Sequence, residues 1–103
     1  MKEIKAIINP SKKSAVLDAL REIEGLPAVI CSDCHAHNVF PGEWDAQAKV
    51  KIELMVGDSQ VETVVSAIQR VATTGQTGDG RIHVIPIEDS VLIRTGEHVN
   101  DKS

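Results

Sequence analysis

The sequence predicts a single α+β domain in which two helices cover one face of an antiparallel sheet. Three observations predict this class. Several short segments alternate apolar and polar residues, which is the period of a half-buried strand. Two longer segments repeat apolar residues every three or four positions, as amphipathic helices do. The chain has 103 residues, a length that suits one modest core, so residues 1–103 are interpreted as one domain.

The first half of the chain is predicted to form a strand, a helix and a second strand. Residues 3–8 alternate and form the first strand, which Pro10 ends. An amphipathic helix follows and runs to about Glu24, because Gly25 is a natural stop. The second strand is predicted over residues 27–32, which are rich in apolar side chains.

A long loop is predicted over residues 33–48. No apolar period is visible there, and Pro41 and Gly42 lie near the middle. A structureless segment of this length is unusual in a compact domain unless it has a function. The loop contains Phe40 and Trp44, the only large aromatic side chains of the chain. They predict either anchors for a partner or a small cluster folded back on the loop.

The second half contains the most regular strand, residues 49–56, which alternate throughout. A helix is predicted over residues 61–72, a strand over residues 81–87 and a short extra strand near residues 91–94. The order β-α-β-β-α-β can bury both helical stripes on one face of an antiparallel sheet. This arrangement is the ferredoxin-like sandwich.

The sheet face opposite the helices is predicted to be uncovered and apolar. By alternation it carries Ile7, Met55, Ile85 and Ile87, and no further element remains to cover them. An apolar face of this kind usually marks an interface, and assemblies of identical chains usually have closed cyclic symmetry. The sequence therefore predicts self-association through this face.

Composition excludes several classes of function. A formal net charge of −4 argues against a nucleic-acid-binding surface, which needs clustered lysine and arginine. No apolar run reaches membrane-spanning length and the N-terminus lacks a signal-peptide segment, so a cytoplasmic protein is expected. No serine-histidine-acid pattern is tied to a nucleophile turn, and we expect no enzyme.

A glycine-rich turn precedes the predicted strand at residues 81–87. Gly75, Gly78 and Gly80 lie within six residues and are followed at once by Arg81. Closely spaced glycines let main-chain N–H groups approach an anion, and arginine adds a charge-assisted contact to a phosphate. The pattern predicts either an anion site or a tight turn without a ligand.

The residues around this turn carry a family resemblance. Residues 74–84 read TGQTGDGRIHV and residues 93–97 read IRTGE. Together they closely resemble the C-terminal signature of the PII signal-transduction family. Upstream, the resemblance extends to residues 6–10, 49–53 and 61–72. It covers nearly the whole chain apart from residues 31–48, and it implies the ferredoxin-like fold and a homotrimer.

The resemblance implies that ATP or ADP binds in clefts between neighbouring subunits. Arg94 would reach the phosphates from the second half of the motif. Arg81 stands where the family usually has lysine, and Leu92 stands where it usually has arginine. Losing one charged contact costs about 1.5–3 kcal/mol, which could shift the preference from ATP toward ADP or AMP. The residues that would cradle the phosphates from one subunit are Gly78, Asp79, Gly80 and Arg81.

The resemblance also implies that the long loop is the effector arm. In the classical family this loop is longer, is often modified on a tyrosine and works with a glutamine in sensing 2-oxoglutarate. The matching lysine, Lys49, is present here, but the chain has no tyrosine, so it resembles a divergent member. Phe40 and Trp44 would contact a protein partner, expected to be a membrane transport system for bicarbonate, ammonium or a metal ion, or its regulator.

A second cluster contains Cys31, Cys34, His35 and His37. Thiols and imidazoles suit Zn²⁺ or copper, so a metal-binding sensor is the alternative function. If the second strand continues to His37, however, Cys34 points away from the other three side chains. The simpler interpretation is a buried Cys31 beside a solvated histidine pair. A purely structural trimer is a third, weaker hypothesis.

Overall fold

The computed structural model describes residues 1–39 and 46–99. Within them, four strands and two helices alternate along the chain, and a single 3₁₀ turn precedes each helix. The elements are β1 (Lys2–Ile8), α1 (Lys13–Arg21), β2 (Ile30–His37), β3 (Ala46–Val56), α2 (Val61–Ala72) and β4 (Arg81–Pro86), with 3₁₀ turns at Pro10–Lys12 and Asp58–Gln60.

The four strands form one sheet in the order β2-β3-β1-β4, and all three neighbouring pairs are antiparallel. Each helix connects an outer strand to an inner strand of this sheet. The predicted ferredoxin-like sandwich is therefore confirmed. No helix in the described part of the chain is both long and apolar enough to cross a membrane.

The core lies between the helices and one face of the sheet. Ile4 of β1 and Ile52 of β3 are fully buried, and Val16 of α1 packs in the same cluster. Val64 and Ile68 are one helical turn apart on α2 and reach the same core. Burying each such side chain contributes about 1.5–3 kcal/mol. These contacts confirm the alternation and the helical stripes predicted from the sequence.

The uncovered sheet face is more polar than the alternation predicted. Ile7, Met55 and Ile85 lie on it, because Glu3 pairs with both Met55 and Ile85 across the sheet. The central position of the face is Lys5, which has Glu53 on one side and His83 on the other. The predicted apolar face is therefore a mixed one, in which apolar residues alternate with charged rows. The predicted fourth apolar member, Ile87, follows β4, and its amide donates to the Met1 carbonyl oxygen at 3.2 Å.

The predicted loop over residues 33–48 is wrong in its bounds. β2 continues to His37 and β3 begins at Ala46, and the two are paired from Ile30 with Glu53 to His37 with Ala46. The outer part of this hairpin is largely exposed on both faces, so it has no apolar period that could reveal a strand. Phe40 and Trp44, the predicted aromatic anchors, lie outside the described residues.

The predicted C-terminal strand near residues 91–94 is also wrong. The described segment is a turn closed by one isolated bridge between Val91 and His98. The Gly96 amide donates to the Leu92 carbonyl oxygen at 2.8 Å, which requires a left-handed glycine with a φ of +73°. The first helix is shorter than predicted as well, since α1 ends at Arg21 rather than near Glu24.

Candidate functional site

The glycine-rich turn between α2 and β4 is folded around one carboxylate. The Asp79 side chain accepts hydrogen bonds from the Thr74 amide at 2.7 Å and the Gly75 amide at 3.0 Å. The hydroxyls of Thr74 and Thr73 donate to the same carboxylate. Hydrogen bonding, above all from the Thr74 hydroxyl, holds the pKa of Asp79 below its usual range. The side chain of Asp79 is therefore committed to folding the turn.

Gly80 has a steric reason to be glycine. A Cβ atom at this position would lie 1.7 Å from the carbonyl oxygen of Ile7, and the φ of Gly80 is +103°. No other residue type fits without a backbone shift, because a Cβ atom never approaches an oxygen so closely. The turn thus passes directly against the end of β1 and brings Arg81 to the start of β4.

A cavity of about 380 Å³ lies beside this turn. Its walls combine apolar side chains with the polar end of the turn, and Arg81 contributes an exposed cationic side chain. A mixed cavity with a guanidinium group at its rim suits a ligand that has an apolar ring system and an anionic group. The lining residues are Ile7, Ile8, Val65, Gln69, Ala72, Thr73, Asp79, Gly80, Arg81 and Ile82.

Lys49 contacts the glycine-rich turn from β3. The residue is buried, with 6% of its surface exposed. Its ammonium group donates to the Asn9 side-chain oxygen at 2.7 Å and to the Gly78 carbonyl oxygen. Asn9 in turn donates through its side-chain nitrogen to Asp79 at 3.4 Å. Asn9 was not predicted as a site residue, because its sequence context indicates only the end of a strand before Pro10.

A second cavity, of about 330 Å³, separates the β2–β3 hairpin from the turn. His37 and Gln47 line it from the hairpin, and Thr77 and Gly78 line it from the turn. The hairpin and the glycine turn are therefore neighbours, although about 30 residues separate them along the chain.

Arg94, the last residue predicted to contact a phosphate, lies in the C-terminal turn. It is exposed and is not among the residues that line the cavity beside Gly80. Leu92 in the same turn is half exposed, and Ile93 is fully exposed at 101%. One chain therefore does not bring Arg94 and Arg81 together around this cavity.

The cysteine and histidine cluster does not converge. β2 continues to His37, so Cys31, His35 and His37 share one face and Cys34 lies on the other, where it pairs with Lys49. The rings of His35 and His37 lie 6.5 Å apart. Within residues 1–39 and 46–99, no group of three or more His, Cys, Asp or Glu residues could hold a metal ion. The metal-sensor hypothesis gains no support from this geometry.

These features define a class: a small ferredoxin-like domain with a glycine-rich, arginine-bearing turn beside a cavity at one end of its sheet. The sequence profile of the family described as nitrogen regulatory protein P-II matches residues 1–97. The chain belongs to this family.

Several members are similar over nearly their whole length. The chain is 42% identical to a nitrogen regulatory protein P-II of Bradyrhizobium diazoefficiens, with 94% of this chain and 95% of the relative covered. It is 41% identical to the P-II protein of Rhodospirillum rubrum, with 98% of both chains covered. It is 34% identical to the nitrogen regulatory protein GlnK2 of Haloferax mediterranei, with 98% of this chain and 89% of the relative covered.

Proposed function

We propose that this chain is a signalling regulator that binds an adenine nucleotide beside the glycine turn and acts through its β2–β3 hairpin on a protein partner. Membership of the P-II family supports a regulatory role. The observation that carries the nucleotide proposal is the position of Gly80 and Arg81. The glycine turn packs against β1 with no space for a side chain, and Arg81 faces a mixed cavity of about 380 Å³.

The phosphates bind to the segment from Gly78 to Arg81, and the adenine ring occupies the apolar part of the cavity near Ile7 and Ile82. Glycines permit close approach of the phosphates to the backbone, and Arg81 supplies a charge-assisted contact. Because Leu92 supplies no charge, the preferred ligand is ADP or AMP rather than ATP.

A homotrimer completes the site. Arg94 does not line the cavity of its own chain, so it contacts the phosphates from a neighbouring subunit. The mixed sheet face supports this assembly, because Lys5, Glu53 and His83 offer complementary charges around the apolar Ile7, Met55 and Ile85. Each nucleotide then lies in a cleft between two subunits.

The segment between β2 and β3 changes its contacts with the partner according to which nucleotide is bound beside the glycine turn. Lys49 links the base of the hairpin to the turn, and Phe40 and Trp44 are the anchors beyond the hairpin's end. The partner is a membrane transport system for a small ion, such as bicarbonate, ammonium or a metal ion, or the regulator of such a system.

Calorimetric titration with ADP, ATP and AMP tests nucleotide binding, and light scattering on the same samples tests the trimer. Arg81→Ala and Arg94→Ala are each expected to weaken ADP binding by more than about tenfold, which corresponds to 1.4 kcal/mol. The matched control is Arg21→Ala, because Arg21 lies on α1 and pairs only with Asp18 among the described residues. Wild-type affinity in both site variants would contradict the proposed phosphate site, and a monomeric mass would contradict the shared cleft.

A further inference from the structure

Three polar side chains connect parts of the chain that are far apart in sequence. Lys49 from β3 donates to Asn9, which follows β1, and Asn9 donates to Asp79 of the glycine turn. The Lys49 ammonium also donates to the Gly78 carbonyl oxygen. We name the set of Lys49, Asn9 and Asp79 the polar bridge. Its central member, Asn9, is the only one whose side chain contacts both of the others.

The polar bridge is costly to open because its charge is buried. Both described acceptors of the Lys49 ammonium, the Asn9 side chain and the Gly78 carbonyl, are neutral oxygens. A buried ammonium that loses an acceptor keeps its desolvation penalty without compensation. Movement of the Gly78 peptide therefore requires Lys49 to find another position, and the two move together.

Lys49 also belongs to the hairpin. It directly follows Ala48, which pairs with His35, and it pairs with Cys34 in the β2–β3 ladder. The Cys34 thiol donates to the Lys49 carbonyl oxygen at 3.6 Å. A displacement of Lys49 is thus transmitted to both strands of the hairpin.

From these contacts we propose that Asn9 is a positioning residue through which the glycine turn and the β2–β3 hairpin exchange conformational information. Asn9 holds Lys49 on one side and Asp79 on the other, so the turn and the base of the hairpin share one arrangement. This inference rests on the proposed function for its ligand, since a nucleotide phosphate at the turn is what changes that arrangement. A ligand shifts the hairpin only to the extent that it binds the two arrangements with different affinity.

Amide hydrogen exchange over residues 33–37 and 46–49 tests the proposal. In the wild-type protein, saturating ADP is expected to change exchange rates in these segments by about threefold or more. In Asn9→Ala, ADP is still expected to bind. The logarithm of the ADP-induced change in the exchange rates of the hairpin is expected to be less than half of the wild-type value. The control is Arg21→Ala, which lies on α1 outside the turn, the hairpin and the uncovered sheet face, and removes only the exposed pair with Asp18 at 2.8 Å. It is expected to retain the wild-type response.

A second arm needs no ligand. Thr74→Val removes the hydroxyl that donates to Asp79 and so perturbs the turn alone. As a single substitution, Thr74→Val is expected to speed amide exchange in the hairpin. In a protein that already carries Asn9→Ala, it is expected to cause no further change in the exchange rates of the hairpin. If Asn9→Ala does not fold, Asn9→Asp replaces it, because the new carboxylate still accepts from Lys49 but cannot donate to Asp79.

The two proposals fail in different ways. Absence of ADP binding to the wild-type protein contradicts the nucleotide site, and the Thr74→Val arm then decides on the polar bridge. Equal effects of Thr74→Val in both backgrounds, or an undiminished ADP response in the Asn9 variants, overturn the role of Asn9.

Discussion

The two halves of the family signature lie in turns of very different construction. The glycine turn that leads to Arg81 is tied to the body of the protein, because Gly80 packs against Ile7 and Lys49 binds Gly78. The C-terminal turn that carries Arg94 is held by bonds within itself, such as those from the Leu92 amide to the Glu97 carbonyl oxygen and from Gly96 to Leu92. The first turn is thus shaped by its own chain, whereas the second presents an arginine outward and suits a contact with another subunit.

The largest expected difference between the turns concerns their glycines. Gly80→Ala should destabilise the protein by at least about 3 kcal/mol, because the new Cβ atom collides with the backbone of Ile7 and φ is positive. For a domain of this size that lowers Tm by roughly 12 °C or more. Thermal unfolding measured at one protein concentration checks this.

Gly96→Ala is the matched control in the second turn. Its φ is also positive, but nothing lies within 4 Å of the added Cβ atom, so the cost is limited to about 1 kcal/mol of backbone strain. A Tm for Gly96→Ala as low as that of Gly80→Ala would mean that the C-terminal turn is anchored as firmly as the first.

The second prediction concerns the pH dependence of the glycine turn. The pKa of Asp79 is lowered in the folded state, so its contribution to stability is present above its unfolded pKa, about 3.9, and is lost as pH falls through the folded value. Asp79→Asn should therefore be less stable than the wild type at neutral pH, and the difference should shrink below about pH 4.

Urea unfolding of both proteins between neutral and acidic pH measures that difference. The pKa of Asp58 is also lowered, through the N-terminal ammonium and then Lys2, but this source of acid sensitivity is common to both proteins and cancels. Because the Thr74 hydroxyl is the largest cause of the Asp79 shift, Thr74→Val should reproduce part of the effect and Thr73→Val much less. A stability difference that stays constant across the acidic range would contradict the role given to the Asp79 carboxylate.

The smallest effect is expected in the second turn, where His98 pairs with Asp89 at 2.8 Å. Both side chains are more than half exposed, and exposed ion pairs contribute about 0–1 kcal/mol. His98→Ala should leave Tm nearly unchanged but speed amide exchange at Val99, whose amide donates to Ser90 within this turn. A large loss of global stability would show that the turn is part of the cooperative core.

The elements that could be predicted from the sequence are anchored in the core, and those that could not be predicted are exposed. β1, β3 and α2 each bury one face, so their apolar periods appear in the sequence. β1 and α2 were predicted to within one residue, whereas β3 was predicted only over its inner part, from residue 49. The outer part of β2 is exposed on both faces, and its pairing with β3 leaves no period to detect. The C-terminal turn contains three consecutive apolar residues, Val91, Leu92 and Ile93, which suggest a strand although they are exposed.

In the candidate site, the features that are local in sequence could be predicted, and the contacts between distant residues could not. The glycine turn and Arg81 were predicted because local composition determines a tight turn. The contacts of Asn9 with Lys49 and Asp79 join residues that are 40 and 70 positions apart, and no local pattern encodes such a contact. The alternative metal site gains no support for the opposite reason, since its four candidate ligands are close in sequence but divided between the two faces of one strand.

The ladder between β2 and β3 is unbroken from Ile30 to His37, so the described outer part of the hairpin can move as one unit. The four steps from Asp33 to His37 extend it by about 14 Å, at about 3.4 Å per residue. Because paired strands resist bending, a tilt at Lys49 displaces the far end in proportion to that length. A rotation of about 10° at the base would move His37 and Ala46 by about 2 Å over this length, which is enough to break a hydrogen bond of about 2.9 Å. A change at Gly78 that tilts the base of the hairpin through Lys49 would therefore reach the far end as a displacement large enough to make or break a contact with another molecule.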